Sequence, residues 1–263
     1  MTPYDDPSFS YPKYWVGRQY EHQSEVLAIH NLLGKERFLS LADVGGGYGR
    51  LIRALSQYSP RITLIEPSTK QRKIAENYLK IVNCKLKIVK GSTSRTHLPN
   101  SSVHLVTLIR VLHHLPDPTS TFREVHRILK PGGLFILEFA NSQNLKSRFL
   151  SWLSGRAPST APVDLRSPVN IRRRTIPFVN HHPQTVLKTL SLCNFDTLSL
   201  LSVSNFRSQF LKQLLPLKVL LLLEKLSQRP LSHIYFGPSI FILAQKPHQS
   251  NKPNKYAQPQ AGL

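Results

Sequence analysis

The sequence predicts a doubly wound α/β domain, and three observations carry that expectation. From Ser40 onward, short β-rich apolar runs alternate with helical patterns, as the βα units of a parallel sheet do. Five such runs follow one another within about a hundred residues. The first ends in a glycine-rich turn, Asp43-Val44-Gly45-Gly46-Gly47-Tyr48-Gly49-Arg50, of the kind that leads a buried strand into a helix.

Taken in order, strands are expected at 39–44, 62–65, 86–89, 103–109 and 134–139. Helices fill 49–58, 69–82 and 119–129, the last stopped by Lys130-Pro131-Gly132-Gly133. After Asn141 the rhythm breaks. The run to His182 holds Pro158, Pro162, Pro168 and Pro177 among many Ser and Arg, with one helix at 143–153 and otherwise no sustained period. Loops this long in a compact domain are usually functional or disordered. Periodicity returns with an amphipathic helix at 183–192, a strand at 196–203, an apolar helix at 208–226 and a final strand at 240–244. The chain thus divides into an N-terminal lid or helical segment (1–37), a ligand-binding core (38–141), the remaining strands with substrate-side insertions (142–246), and a polar, proline-rich tail (247–263) expected to be disordered.

Composition narrows the classes. A chain of 263 residues can bury a sizeable core. Its two cysteines, Cys84 and Cys193, have no disulfide or zinc spacing, which fits a reducing, cytoplasmic setting. Asp5 and Asp6 stand where a secretory leader would carry basic residues. The most apolar stretch, 214–223, contains Pro216 and Lys218 and is about half the length that a membrane-spanning helix needs. The net charge of +21 is uneven, because from residue 141 onward 16 Lys and Arg face three acids. That excess points to an anionic partner, RNA or a lipid headgroup, or to a proteome with a basic bias; the basic residues are spread out except at Arg172-Arg173-Arg174.

The glycine loop admits a close ligand, and a nucleotide-like one is its natural occupant. A dinucleotide fingerprint would require glycine at 50 or 51, where Arg50 and Leu51 stand. Glu66, at the end of the second strand, is placed to accept hydrogen bonds from the two hydroxyls of a ribose.

With Leu41-Ala42-Asp43-Val44-Gly45-Gly46-Gly47-Tyr48-Gly49, Glu66, the segment Leu105-Val106-Thr107-Leu108-Ile109-Arg110-Val111-Leu112-His113-His114-Leu115 and Leu129-Lys130-Pro131-Gly132-Gly133-Leu134, the chain resembles the class I methyltransferases that use S-adenosylmethionine (SAM), particularly the type 11 group. The resemblance covers about 38–141. It implies a Rossmann-like, seven-stranded, mostly parallel sheet with a reversed last strand, helical and loop additions, and SAM across the carboxyl ends of the first strands. Asp43, Gly45, Gly47 and Gly49 would hold the methionine part, Glu66 the ribose, and the segment after the third strand the adenine. Relatives commonly have Gly-Asp-Ala there, whereas this chain reads Gly91-Ser92-Thr93-Ser94. Ser92 or Thr93 substitutes a hydroxyl, or the adenine is held by backbone and stacking alone. His104 stands where the family often has Asp.

Methyl transfer needs alignment, exclusion of water and sometimes removal of a proton. The candidate bases are His113 and His114 after the fourth strand, which otherwise pack the loop, and His181 and His182 before the penultimate helix. Neither pair has a metal-ligand pattern. Arg110 meets the cofactor carboxylate or a substrate anion, or forms a structural ion pair. Tyr14, Trp15, Arg18, Tyr20 and Glu21 form an aromatic and charged cluster that folds over the cofactor in similar enzymes or simply packs. The expected acceptor is a small or lipid-like molecule enclosed by 142–182 and 205–237, with peripheral contact between the apolar helix at 208–226 and an anionic membrane. An RNA methyltransferase, or a SAM-binding protein without catalysis, is the alternative; no RNA-binding module is visible. The oligomeric state is not read from these motifs.

Overall fold

The computed structural model describes residues 3–6, 10–80, 82–155, 159–172, 175 and 177–248. After a short 3-10 turn come α1 (Tyr11–Tyr14), α2 (Gln19–Leu33), β1 (Leu41–Val44), α3 (Ile52–Leu55), β2 (Arg61–Ile65), α4 (Thr69–Tyr78), β3 (Lys85–Val89) and β4 (Val103–Leu108). They are followed by α5 (Thr119–Ile128), β5 (Leu129–Ala140), α6 (Leu145–Leu153), β6 (Val163–Asp164), α7 (Pro168–Arg172) and β7 (Val179–Asn180). The chain closes with α8 (Pro183–Leu192), β8 (Asp196–Val203), α9 (Gln209–Leu214), α10 (Leu217–Ser227) and β9 (Ser239–Gln245).

Seven strands form one sheet in the order β3-β2-β1-β4-β5-β9-β8. β1 to β5 pair in parallel, and β9 runs antiparallel to both neighbours. This is the expected mostly parallel sheet with a reversed last strand. Buried on both faces, its strands feed two apolar layers, as parallel sheets require. Ala42, Val44 and Val106 meet Phe122 and Val125 of α5 and Val186 and Leu190 of α8 on one side. Leu41, Leu64 and Leu105 meet Ile29 of α2, Ile52 of α3 and Ala75 of α4 on the other.

Five local expectations change. α3 is a single turn rather than a helix over 49–58, and α4 ends at Tyr78. β5 begins at Leu129, five residues before the expected start, and its register against β4 shifts between Val103 and Leu105. Pro131 has no N–H to give the ladder, so the strand bulges around it. The excursion after Asn141 holds α7 and a two-residue ladder, Val163 opposite Asn180, too short to leave a period in the sequence. The single helix expected at 208–226 is two: Leu215 is extended (φ −117, ψ 137) before Pro216, as a residue preceding proline prefers. α10 packs on α2 and buries Leu220 and Glu224, leaving Leu222 and Leu226 exposed. No helix among the described residues is long and apolar enough to cross a membrane. Arg173, Arg174 and the tail from 249 lie outside the described residues.

Candidate active site

The carboxyl ends of β1, β2 and β4 open into a cleft of about 230 Å³. Its floor is the turn after β1, where Gly45, Gly47 and Gly49 take φ of 73, 58 and 81, a region closed to most side chains. At Gly45 a Cβ would also come within 2.5 Å of Val111, so the loop and the segment after β4 touch backbone to side chain. Asp43 is buried beneath the loop and accepts from Thr107 Oγ1 at 2.7 Å. Burial pushes its carboxyl up to about 6, against the pull of that bond and of Arg50.

Glu66 is the charged centre of the cleft wall. Its Oε2 accepts from Gly47 N at 3.0 Å and its Oε1 from Ser68 N at 2.8 Å, so the two βα turns are tied through one carboxylate. Burial pushes Glu66 up to about 7, with the Ser68 and Gly47 N–H groups pulling it down. Each oxygen retains acceptor capacity for a ligand hydroxyl, since a carboxylate offers about four lone-pair sites. Beside it, Gln71 Oε1 is buried without a hydrogen-bond partner among the described residues. Ser92 and Thr93 line the far end, where Thr93 Oγ1 accepts from Thr121 Oγ1 at 2.9 Å. A buried acceptor awaiting a donor, a carboxylate with capacity left and a glycine floor fit a nucleoside such as that of SAM.

Arg110 follows β4 at φ 63, a left-handed conformation uncommon for a non-glycine residue, pinned by its N–H donating to Glu138 Oε2 at 2.8 Å. Its side chain reaches the cleft wall while Nε donates to Glu25 Oε1 at 2.6 Å. Arg50 pairs with the other oxygen of Glu25 and lies 3.6 Å from the centroid of the Trp15 ring. Burial would raise the Glu25 carboxyl, but the guanidiniums of Arg110 and Arg50 outweigh it and hold it below the usual range. Arg110 is therefore ion-paired and also lines the cleft.

The four histidines separate. His114 lines the cleft, with Nε2 2.6 Å from Tyr4 Oη and Nδ1 2.9 Å from the Pro177 carbonyl. His113 is buried against His114 and Phe178, and burial, with His114 adding to it, lowers its basicity well below the ordinary value. His181 is buried, its Nε2 3.1 Å from the Leu112 carbonyl, and His182 caps α8 by accepting from Gln184 N. Burial lowers the pKa of His114, His181 and His182 as well.

The cleft cover is not the aromatic set singled out in the sequence. Tyr4 and Tyr11 line it, and Tyr11 sits over Gly47, where a Cβ would lie 3.1 Å from its ring. Tyr14 and Trp15 back Tyr11 from behind, and Arg18 stacks on Tyr14. Tyr20 and Glu21 turn away to Glu224 and Lys212. Tyr4, Tyr11 and Gln71 were not singled out in the sequence, and Val111 was named only as part of the 105–115 motif; the aromatic density of the first twenty residues pointed toward the two tyrosines, and nothing pointed toward Gln71.

Residues 42–137 match the family described as Methyltransferase domain. The chain is 27% identical over 139 residues to a ubiquinone biosynthesis O-methyltransferase of Colwellia psychrerythraea, covering 52% of this chain and 56% of that one. It is 26% identical over 137 residues to a ubiquinone/menaquinone biosynthesis C-methyltransferase of Rubrivivax gelatinosus, covering 48% and 53%. The chain thus spans about half the length of the curated relatives it matches. Among solved structures, a Haloferax volcanii methyltransferase in complex with the Trm112 methyltransferase activator shares the fold at a TM-score of 0.60 and 17% identity, over 90% of this chain and 93% of that one. Strand order and glycine loop agree with that match: the fold is that of the class I SAM-dependent methyltransferases, and over residues 42–137 the chain is similar to their methyltransferase domain.

Proposed function

We propose that this protein transfers the methyl group of SAM to a small, lipid-like acceptor. The observation that carries the reading is the cleft at the strand ends: a polar nucleoside wall at Glu66, Gln71, Ser92 and Thr93 adjoins an apolar one at Tyr4, Tyr11, Val111 and Leu115. The similar enzymes named for ubiquinone biosynthesis, one an O- and one a C-methyltransferase, support an acceptor of that class. Bound SAM supplies an electrophilic methyl on a sulfonium. The chain's own residues do the rest. Asp43 and the loop of Gly45, Gly47 and Gly49 hold the amino-acid portion, Glu66 accepts from the ribose hydroxyls, and Ser92 or Thr93 lies at the adenine end. Arg110 faces the cleft as the cation for a carboxylate. Tyr4 and Tyr11 close over the floor and keep water from the reacting atoms. His114 borders the cleft with its Nε2 held by the Tyr4 hydroxyl, so a proton from an acceptor hydroxyl would reach it through Tyr4 Oη, which takes that proton as it passes its own to Nε2; burial lowers the pKa of the imidazole.

The experiment is incubation with methyl-labelled SAM and cell extract fractions. Label is expected in the lipid and small-metabolite fractions. Label confined to RNA or protein would overturn the acceptor class, and no binding of SAM or S-adenosylhomocysteine by calorimetry would overturn the reading itself.

A further inference from the structure

The cleft accounts for neither the apolar surface nor the charge of the segment that follows β5. No residue of α6 or α7 is buried. Yet α6 displays Trp152 at 75% exposure and Phe149 at 56%, one turn apart on the same side. Leu145, a turn earlier, and Ile171 of α7 are also exposed. A helix in water normally turns such side chains inward, and a contiguous exposed apolar surface marks a contact. The charge is one-sided too. Between 142 and 182 seven Lys and Arg face one acid, Asp164, and Arg166 holds that acid at 2.6 Å. Exposed Lys146 and Arg172 flank the apolar side chains in sequence.

Position adds the third observation. α6 leaves β5 from the carboxyl edge of the sheet, the edge on which the cleft opens. The excursion returns at Pro177, whose carbonyl is 2.9 Å from Nδ1 of the cleft residue His114, and at Phe178, whose ring packs 5.1 Å from that of His113.

We propose that α6 and α7 form a docking face for an anionic lipid bilayer, with Phe149 and Trp152 entering the boundary between headgroups and acyl chains and Lys146 and Arg172 meeting lipid phosphates. Exposed tryptophan beside basic residues is the composition that such a boundary selects. Anionic lipid is favoured over a protein partner because the surplus charge is uniformly positive around an apolar helix. That this face delivers a lipid-like acceptor to the cleft rests on the reading proposed above; the lipid contact itself does not.

The test is co-sedimentation of the full chain with vesicles of phosphatidylcholine and phosphatidylglycerol in equal parts, beside vesicles of phosphatidylcholine alone. The wild type should bind the mixed vesicles and bind the neutral ones more weakly. Phe149→Ser with Trp152→Ser should reduce binding by about tenfold or more, since both side chains would lose a buried apolar contact. Lys146→Glu with Arg172→Glu should reduce it by about fivefold per charge removed and abolish the difference between the two vesicles. SAM titration on the same samples reads the cleft separately, so loss of one reading leaves the other standing. The proposal is overturned by no binding to mixed vesicles, by binding that survives Phe149→Ser with Trp152→Ser, or by concentration-dependent self-association of the wild type, without vesicle binding, that the double substitution abolishes.

Discussion

Glu66 concentrates the most chemistry in one residue. Its two oxygens tie the turns after β1 and β2 together and remain the acceptors that a ribose would use. Glu66→Ala should weaken S-adenosylhomocysteine binding by about 1–3 kcal/mol, roughly five- to 150-fold, in calorimetry; unchanged affinity would remove Glu66 from the site. The raised carboxyl adds a pH test. Hydroxyls donate to the ionised form, so affinity is full above the value near 7 and declines as the pH falls through it. For folding the sign is opposite: because the folded value lies above the unfolded one, the stabilising contribution is full at low pH and is lost as the pH rises through 7. Affinity measured from about pH 8 down to about pH 6 should fall several-fold in the wild type and stay level in Glu66→Gln. A decline that persists in Glu66→Gln would assign the titration to Asp43, held near 6.

At the scale of elements, α2 is joined to the glycine loop and to β4 by charge as well as by packing. Glu25 is buried between Arg50, from the turn after β1, and Arg110, from the turn after β4. Glu25→Ala would leave two guanidiniums facing each other in a poorly hydrated space and should cost about 3–5 kcal/mol in urea denaturation. A loss under about 1 kcal/mol would mean that both arginines reach water without disturbing the loop. This bracing was not legible in the sequence, because Glu25 is one acid of an ordinary amphipathic helix until the fold brings β4 beside it. The sheet was legible, since every strand of 38–141 is an apolar run ended by a turn signal, and so were the glycine loop and Glu66, which are set by local spacing. Pro216 was visible as well, but its effect on a strongly apolar run was read too weakly. The four histidines looked alike in sequence. The 3-10 turn at Leu112–His114 separates the first two, burying His113 and turning His114 to the cleft, a difference that adjacency alone cannot carry.

The whole molecule assembles its cleft from three stretches distant in sequence: Tyr4 and Tyr11 at the start, the turns after β1 and β2, and the segments after β3 and β4. Each stretch is held to the sheet by different bonds, so a ligand touching all of them adds a link that the unfolded chain lacks. A ligand that binds only the folded state stabilises it by mass action, about 2.7 kcal/mol at about one hundred times its Kd. For a protein of this size that corresponds to a rise in Tm of roughly 5–11 °C. S-adenosylhomocysteine should give such a rise in calorimetric melting. The share owed to the N-terminal cover can be isolated by deleting residues 1–14, which removes Tyr4 and Tyr11 but leaves α2 and its ion pairs in place. The truncated chain should melt cooperatively in the absence of ligand and show a smaller rise at the same ligand concentration, because the floor at Gly47 would lie open to water. An equal rise in both chains would show that the two tyrosines cover the cleft without contributing to binding, and the reading of the first segment as a lid would fall.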